Sequence, residues 1–224
     1  MRVMRSSTRN TIVENKKAAM GTGSLIIFIT IVLVAGIAAS VLVQTSTNLE
    51  SQAVKTGTDT TDEVASGLAV YDIKGYAATS GNLDKMSINV RTRAGSAAID
   101  LGETIIELSD TDYKILLNYS TDYYVPDGSG QDDVLSSSYF PPHATKFGIL
   151  IFEDADDSCG QTTPVINSGD KVLIGIDVTK CFPDTAGINA RTDIMGIVAP
   201  EVGSPGVIRF MTPPLFIDNV IDLQ

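Results

Sequence analysis

The chain of 224 residues is poor in the side chains that most enzymes use for catalysis. It has one histidine, His143, which follows two prolines. It has no GxSxG elbow, HExxH pair, phosphate-binding P-loop or Cys-His signature. The sequence therefore predicts a protein that is not an enzyme, and an exported enzyme stays open only if acidic loops bind a catalytic metal ion.

Positive charge is scarce beyond the N-terminus. The chain has 16 Lys and Arg against 27 Asp and Glu, and residues 1–18 hold five of the basic and one of the acidic residues. Residues 19–224 therefore carry 11 basic and 26 acidic residues, a net charge of −15. Because binding to nucleic acid needs clustered Lys and Arg, this composition excludes nucleic acid as a partner.

Residues 18–49 lack charge altogether. Within them, Leu25 to Val43 form an apolar run of 19 residues, which at about 1.5 Å per residue is long enough to cross a bilayer as a helix. Residues 1–18 have a net charge of +4, which keeps them cytoplasmic and directs the rest of the chain outward. The sequence predicts a precursor inserted in the membrane.

The segment from Lys16 to Ala53 resembles the N-terminus of archaellins, the archaeal flagellins. Two basic residues and a small residue precede a GxGxLIxFI-like stretch and an Ala-rich apolar helix. The residues that match this stretch are Gly21, Gly23, Leu25, Ile26 and Phe28. Residues 203–213, GSPGVIRFMTP, are similar to the closing segment of archaellins, and residues 168–182 and 190–206 look like the last strands of the family.

The resemblance implies that a dedicated leader peptidase removes residues 1–18. The residues of the cleavage site are Lys16, Lys17, Ala18 and Ala19. We expect the cut between Ala18 and Ala19, and the alternative is a cut after Gly21, since glycine usually precedes the scissile bond in the family. Bacterial type IV pilins share the leader but place Glu at the fifth mature position, which is Gly23 here.

The apolar run is hydrophobic on every face, so it must be buried all round. Once the leader is removed, copies of the same helix can replace lipid. Two pairs of small residues, Ala35 with Ala39 and Gly36 with Ser40, favour close helix packing. The predicted filament-core residues are Leu25, Ile26, Phe28, Ile29, Val32, Ala35, Gly36, Ala39 and Val43.

The helix is expected to continue as an amphipathic segment to residue 72 and to weaken near Gly57. Beyond it the pattern changes to the period of strands, most clearly in Lys85 to Arg91, where apolar residues alternate. Six further predicted strands are Thr104 to Leu108, Lys114 to Tyr119, Lys146 to Phe152, Lys171 to Val178, Ile194 to Ala199 and Val207 to Met211. The predicted fold class is α+β, with a long helix over residues 19–72 and an Ig-like all-β sandwich over 73–224.

Cys159 and Cys181 lie on the exported side. An even count outside the cell predicts a disulfide, worth roughly 3 kcal/mol for a loop of this length, and two buried thiols are the alternative. Asn118, in the only N-x-[ST] sequon, is a predicted glycan acceptor near the end of a strand.

Carboxylates cluster in residues 127–133 and 153–157. Such loops bind Ca²⁺ through several oxygens, but neither has the spacing of an EF-hand. Solvated acids are therefore the first expectation and no cofactor is predicted, while a structural Ca²⁺ without assigned ligands stays open.

The resemblance implies an extracellular structural subunit that polymerises with itself and with related archaellins into the archaellum filament. It implies a leader peptidase, a membrane assembly platform and a motor for swimming as partners, and often adhesion. Two alternatives stay open: a membrane-anchored surface protein that binds a partner, and a subunit of another type IV pilus-like adhesion filament.

Overall fold

The computed structural model describes residues 4–78, 81–128, 133–182 and 186–224, with side chains from residue 20 onward. The chain divides into two compact units, residues 1–58 and 59–224. The described residues of the first unit are helical, and the second unit contains the last turns of that helix and the strands found among the described residues. The two units are described separately.

Helix α1 spans Met4–Ala65. No proline occurs before Pro126, so nothing in this stretch removes a helical hydrogen bond. The helix continues through Gly57, where the sequence predicted weakening, and the hydroxyl of Thr58 donates to the carbonyl of Val54 at 3.0 Å. Of the described residues, Met20–Ala65 is the one helix long and apolar enough to cross a membrane.

α1 ends at Ala65, before the predicted end at residue 72. Gly67 pairs with Ser204, and the backbone N–H of Leu68 donates to the carbonyl of Ser204 at 3.1 Å. Leu68 is fully buried in the core of the second unit. Burial in a strand therefore overrides the helical pattern that the sequence showed in this segment.

Among the residues that the structure describes, eleven strands and a second, short α-helix follow. The strands are β1 (Leu68–Tyr76), β2 (Lys85–Thr92), β3 (Ile99–Asp100), β4 (Ile105–Ser109), β5 (Lys114–Val125), β6 (Lys146–Glu153), β7 (Val165–Ile166), β8 (Lys171–Asp177), β9 (Asp193–Ala199), β10 (Gly206–Met211) and β11 (Val220–Asp222). Helix α2 spans Val178–Cys181. The seven predicted strands correspond to β2, β4, β5, β6, β8, β9 and β10, so the expected α+β class is confirmed.

Nine strands form one sheet in the order β10-β9-β4-β5-β6-β8-β2-β1-β11, and β3 pairs with β7 separately. The described neighbours in the large sheet are antiparallel except β5 and β6. The sheet curls so that its end strand β10 approaches β1, the neighbour of the other end strand β11, and Gly206 of β10 lies against Val70 of β1. The two layers predicted as separate facing sheets are thus parts of a single curled sheet.

The inner face of the sheet carries the core. In β2 the predicted alternation is seen, with Met86, Ile88 and Val90 fully buried. The other strands contribute inward residues at the same period, which are Leu68, Ile73, Ile106, Leu108, Leu117, Phe147, Ile149, Ile174, Ile176, Ile194, Val198, Ile208 and Phe210. Burial of these side chains stabilises the domain at about 25 cal/mol per Å² of apolar surface.

A segment around the 3-10 helix Val134–Ser136 covers part of the outer face. Tyr139 lies over Gly148 of β6 and Gly175 of β8, which are cross-strand partners. A Cβ atom on either glycine would overlap with Tyr139, so only glycine allows this close approach. The Tyr139 hydroxyl donates to Ser87 Oγ at 3.1 Å, which explains why Ser87 is buried on a face the sequence predicted to be exposed.

Candidate functional sites: the apolar helix and an acidic loop

The apolar run of α1 is exposed on all sides in the single chain. Leu25, Ile26, Phe28, Ile29 and Val32 are each about half exposed or more, with Phe28 at 67 %. The remaining filament-core residues of the prediction, Ala35, Gly36, Ala39 and Val43, are exposed as well. A helix with this surface is not stable in water, so it needs lipid or other apolar helices around it.

Three threonine hydroxyls of this helix form hydrogen bonds within it. The hydroxyls of Thr30, Thr45 and Thr47 donate to carbonyls of the preceding turn at 2.8–3.0 Å. Their hydrogen bonds therefore do not require water or a partner. Gly36 has no atom near the position of a Cβ, so the small-residue face at residues 35–40 is open to a closely packed neighbour.

The predicted cleavage site falls on Lys16, Lys17, Ala18 and Ala19, whose side chains lie outside the described residues. Their backbone is part of α1. The alternative site after Gly21 also lies in α1, and Gly21 is exposed. The choice between the two cuts stays a prediction.

The glycan prediction concerns Asn118. The residue is exposed and lies within β5, opposite Ile105 of β4, rather than at a strand end as expected. β5 continues to Val125, beyond the predicted end at Tyr119, because residues after Tyr119 pair with β6 after a register shift. An exposed asparagine side chain on the outer face is accessible to a glycan-transferring enzyme.

The two cysteines are free and buried in this structure, so the predicted disulfide is not formed. Each cysteine has surroundings of its own. The Cys181 thiol, at the end of α2, donates to the Ala144 carbonyl at 3.5 Å. Cys159 lies in the loop after β6, where its carbonyl accepts the hydroxyl proton of Tyr124. The even number of cysteines in the sequence carried no information on the distance between the two sulfur atoms. The structure has the alternative arrangement, two buried thiols.

One of the two acidic clusters gathers carboxylates in space. Oxygens of Asp154, Asp156 and Asp170 lie within 4.8 Å of one another. The sequence pointed to the first two but missed Asp170, which precedes β8 and reaches the loop only through the fold. The other cluster, residues 127–133, falls partly outside the described residues.

Asp170 is the informative member of this carboxylate triplet because it is 2 % exposed. Its Oδ2 accepts the backbone N–H of Asn167 at 2.8 Å. Its Oδ1 is buried and has no hydrogen-bond partner among the described residues. A buried carboxylate oxygen without a donor is costly unless a cation or a water molecule compensates it.

Hydrogen bonds hold the other two carboxylates in place. Asp154 accepts a hydrogen bond from the backbone N–H of Cys159 at 3.0 Å, and Asp156 accepts one from Asn167 Nδ2 at 2.7 Å. Bonds from Ser158 and Asn167 lower the pKa of Asp156, so it stays charged well below neutral pH. Three carboxylate ligands at this spacing match the oxygen preference of Ca²⁺.

His143 has no described catalytic partner. It is exposed, and its ring lies edge-on to Tyr123 at 6.3 Å between centroids. A contact between a histidine and a tyrosine ring does not supply the nucleophile and base that acyl or phosphoryl transfer require.

Comparisons with known proteins agree with this architecture. Residues 18–210 match the family described as archaeal-type flagellin. Flagellin B3 of Methanocaldococcus jannaschii is 39 % identical over 215 residues, which cover 95 % of this chain and 98 % of that protein. Flagellin B3 of Methanococcus voltae is 38 % identical over 236 residues, which cover 94 % of this chain and 98 % of that protein.

Two solved structures share the fold. The crystal structure of archaeal flagellin FlaB1 from Methanocaldococcus jannaschii matches with a TM-score of 0.62 and 31 % identity, over 71 % of this chain and 98 % of that one. The structure of the archaeal flagellum of Methanospirillum hungatei strain JF1 matches with a TM-score of 0.62 and 15 % identity, over 90 % of this chain and 98 % of that one.

Proposed function

This chain belongs to the archaeal-type flagellin family, and we propose that its copies polymerise through α1 into the archaellum filament that drives swimming. The observation that supports the mechanism is the apolar surface of the helix, which is uncharged from residue 18 to 49 and exposed from residue 20. Each Leu, Ile, Val or Phe of this surface gains roughly 1.5–3 kcal/mol when it is fully buried. Neighbouring copies provide that burial at the filament centre.

The switch from membrane to filament depends on charge. The precursor is held in the bilayer by the basic residues 2–17 on the cytoplasmic side, and a leader peptidase removes them. The remaining helix has no charge at its cytoplasmic end other than its new N-terminus. A membrane assembly platform then transfers it from lipid into a bundle of identical helices, where its surroundings are equally apolar.

The rest of the chain forms the outside of the filament. Its acidic surface keeps neighbouring filaments apart in solution by like-charge repulsion. Asn118 carries a glycan on this outer surface. The subunit has a structural role and no catalytic one, and its partners are further copies, related flagellins and, in adhesion, external surfaces.

We also propose that Asp154, Asp156 and Asp170 hold a structural Ca²⁺. The unpartnered, buried Oδ1 of Asp170 supports this, because a bound cation would compensate it. The ion would tie the loop after β6 to the start of β8. In this role it stabilises the outer domain and takes part in no reaction.

The alternative of a membrane-anchored surface protein makes a different prediction. An anchored protein keeps residues 1–18, whereas a filament subunit loses them. The test is intact-mass measurement of the protein in sheared surface appendages, combined with electron microscopy. We expect fibres built from chains that begin at Ala19, or at Thr22 if the alternative cut is used. Full-length chains that stay single in detergent extracts of the membrane would contradict the filament function.

A further inference from the structure

Three of the few basic residues of the outer domain surround one cavity. The cavity has a volume of about 380 Å³ and lies where β2 ends and β8 begins. Its wall includes Arg91, Arg93 and Lys171. Since residues 19–224 carry 11 basic residues against 26 acidic ones, such a concentration of positive charge is unexpected on this protein.

Arg91 is held in position by an exposed tyrosine beside the cavity. The guanidinium carbon of Arg91 lies 5.1 Å from the centre of the Tyr71 ring. Tyr71 is the extra residue at the register shift between Val70 and Asp72, where β1 bulges against β2. Bulges of this kind re-aim a side chain, and here the tyrosine ring, 67 % exposed, lies beside the guanidinium.

The charge of the two arginines is not compensated within the described part of the chain. The ion pairs found there involve Lys74, Lys114 and Lys171, and no carboxylate oxygen of a described residue lies within 4.0 Å of either guanidinium group. Lys171 pairs with Glu153 and is partly neutralised. The carboxylate that lines the cavity belongs to Asp170, which is buried and belongs to the triplet described above.

We propose that this arginine pocket, defined by Tyr71, Arg91, Arg93 and Lys171, receives carboxylate side chains of a second copy of the chain in the filament. The proposal rests on the filament function proposed above. Guanidinium groups bind carboxylates through two parallel hydrogen bonds, and arginine and tyrosine are the residues that most often dominate the energy of an interface. The pocket is thus suited to an acidic surface with an exposed side chain.

Charge complementarity identifies the partner as a second copy. Each mature subunit carries a net charge of −15, so neighbouring outer domains repel one another unless opposite charges meet at the contact. A cationic pocket that meets an acidic patch elsewhere on the next copy makes a head-to-tail contact. Such contacts build open helical filaments when they do not close into rings.

The test reverses the charge of the pocket in the full-length chain. Arg91→Glu with Arg93→Glu is compared with Lys180→Glu with Arg209→Glu, which changes net charge equally at exposed residues outside the pocket. Both variants are expressed in an archaeal host whose own flagellins are deleted. We expect the pocket variant to be inserted and cleaved normally, but to give filaments in at least about tenfold lower amount than the control variant.

Two further measurements keep the result interpretable. Unchanged melting of the pocket variant in detergent shows that the outer domain still folds, and Arg91→Lys with Arg93→Lys, which keeps charge but loses the paired hydrogen bonds, should give an intermediate yield. Electron cryo-microscopy of wild-type filaments should place a carboxylate of a neighbouring copy beside Arg91 or Arg93.

Normal filaments from the charge-reversed variant would overturn the proposal, and so would wild-type filaments in which the pocket faces solvent or holds only a free anion. These results differ from a failure of the filament function itself, in which the wild-type chain would form no filaments.

Discussion

The side-chain amide of Gln224 binds the backbone of β10, with Oε1 accepting the N–H of Arg209 at 2.8 Å. The backbone carbonyl of the same glutamine accepts the N–H of Ile73 in β1 at 3.1 Å. One residue therefore connects the two strands that meet where the curled sheet closes. β11 ends at Asp222, so Gln224 lies beyond the strand. Its hydrogen bonds to Arg209 and Ile73 nevertheless link β1 and β10 as a strand between them would.

Gln224→Ala should destabilise the outer domain, because it removes two side-chain bonds to β10, from the Arg209 N–H to Oε1 and from Nε2 to the Val207 carbonyl, and leaves the backbone bond to Ile73 intact. The net loss of the two bonds is about 1–3 kcal/mol, and each kcal/mol lowers the melting temperature of a domain of this size by about 2–4 °C. Thermal unfolding of detergent-solubilised subunits measures the difference. Deleting residues 220–224 should lower the melting temperature further, since it removes β11 and its pairing with β1. Equal melting temperatures of the wild-type chain, Gln224→Ala and the deletion variant would show that these residues do not help to close the sheet.

Ala39→Glu should abolish filaments without unfolding the outer domain. Ala39 lies in the middle of the uncharged run, so a glutamate there would be buried without a partner among neighbouring helices. A buried uncompensated charge costs about 3–5 kcal/mol in each copy. Electron microscopy of sheared appendages measures assembly, and circular dichroism of the purified subunit measures folding.

The matched control for this variant is Gln52→Glu. It adds the same charge to α1 beyond the uncharged run, two residues after Glu50, and should permit assembly. Filaments of normal length from Ala39→Glu would show that α1 is not buried among apolar neighbours.

Much of the fold could be predicted because its elements have clear periods. The apolar run of 19 residues predicted a long helix, and strict alternation in β2 indicated a half-buried strand. β1 was not predicted because the bulge at Tyr71 interrupts its alternation and because it directly follows a helix of similar composition. β11 has three residues, which is too short for any period to show.

The parts that escaped prediction depend on contacts between distant segments. Asp170 joins Asp154 and Asp156 only because β8 pairs with β6, and one sequence shows no such pairing. Likewise, nothing local indicates that Gly148 and Gly175 leave space for Tyr139. The residues next to these positions in the sequence do not show that the positions contact distant segments in the folded state.

Removal of Ca²⁺ should lower the melting temperature of the outer domain, and Asp170→Asn should remove the response. A ligand present at about 100 times its dissociation constant stabilises a protein by about 2.7 kcal/mol. Melting is measured with added Ca²⁺ and with a chelator. Asp112→Asn is the control, because Asp112 is an exposed carboxylate outside the triplet. If the melting temperature of the wild-type chain is the same with Ca²⁺ and with the chelator, the metal proposal is contradicted.

Alkaline pH should destabilise the outer domain through buried groups, among them Cys181, Tyr139 and Cys159, whose thiol pKa burial also raises to about 12. Burial, and to a smaller extent the charge of Asp177, raises the pKa of the Cys181 thiol from 9.0 to about 12. Burial raises the pKa of Tyr139 from 10.0 to about 12, although its bond to Ser87 opposes this. In the unfolded chain these groups lose their protons at the ordinary values, so between pH 9 and 12 the folded state binds more protons.

Because the folded state binds more protons, the free energy of unfolding falls as pH rises from 9 toward 12. Well below pH 9 these groups are protonated in both states, so they make stability no more or less dependent on pH there. Melting temperatures between pH 7 and pH 11 measure the slope, and Cys181→Ser and Tyr139→Phe should each make it shallower. The Cys181 thiol of the folded subunit should also resist iodoacetamide at pH 8 and react after denaturation, because the thiolate is the reactive form. Rapid labelling of the folded chain would show that Cys181 is accessible, and the predicted alkaline slope would lose its physical basis.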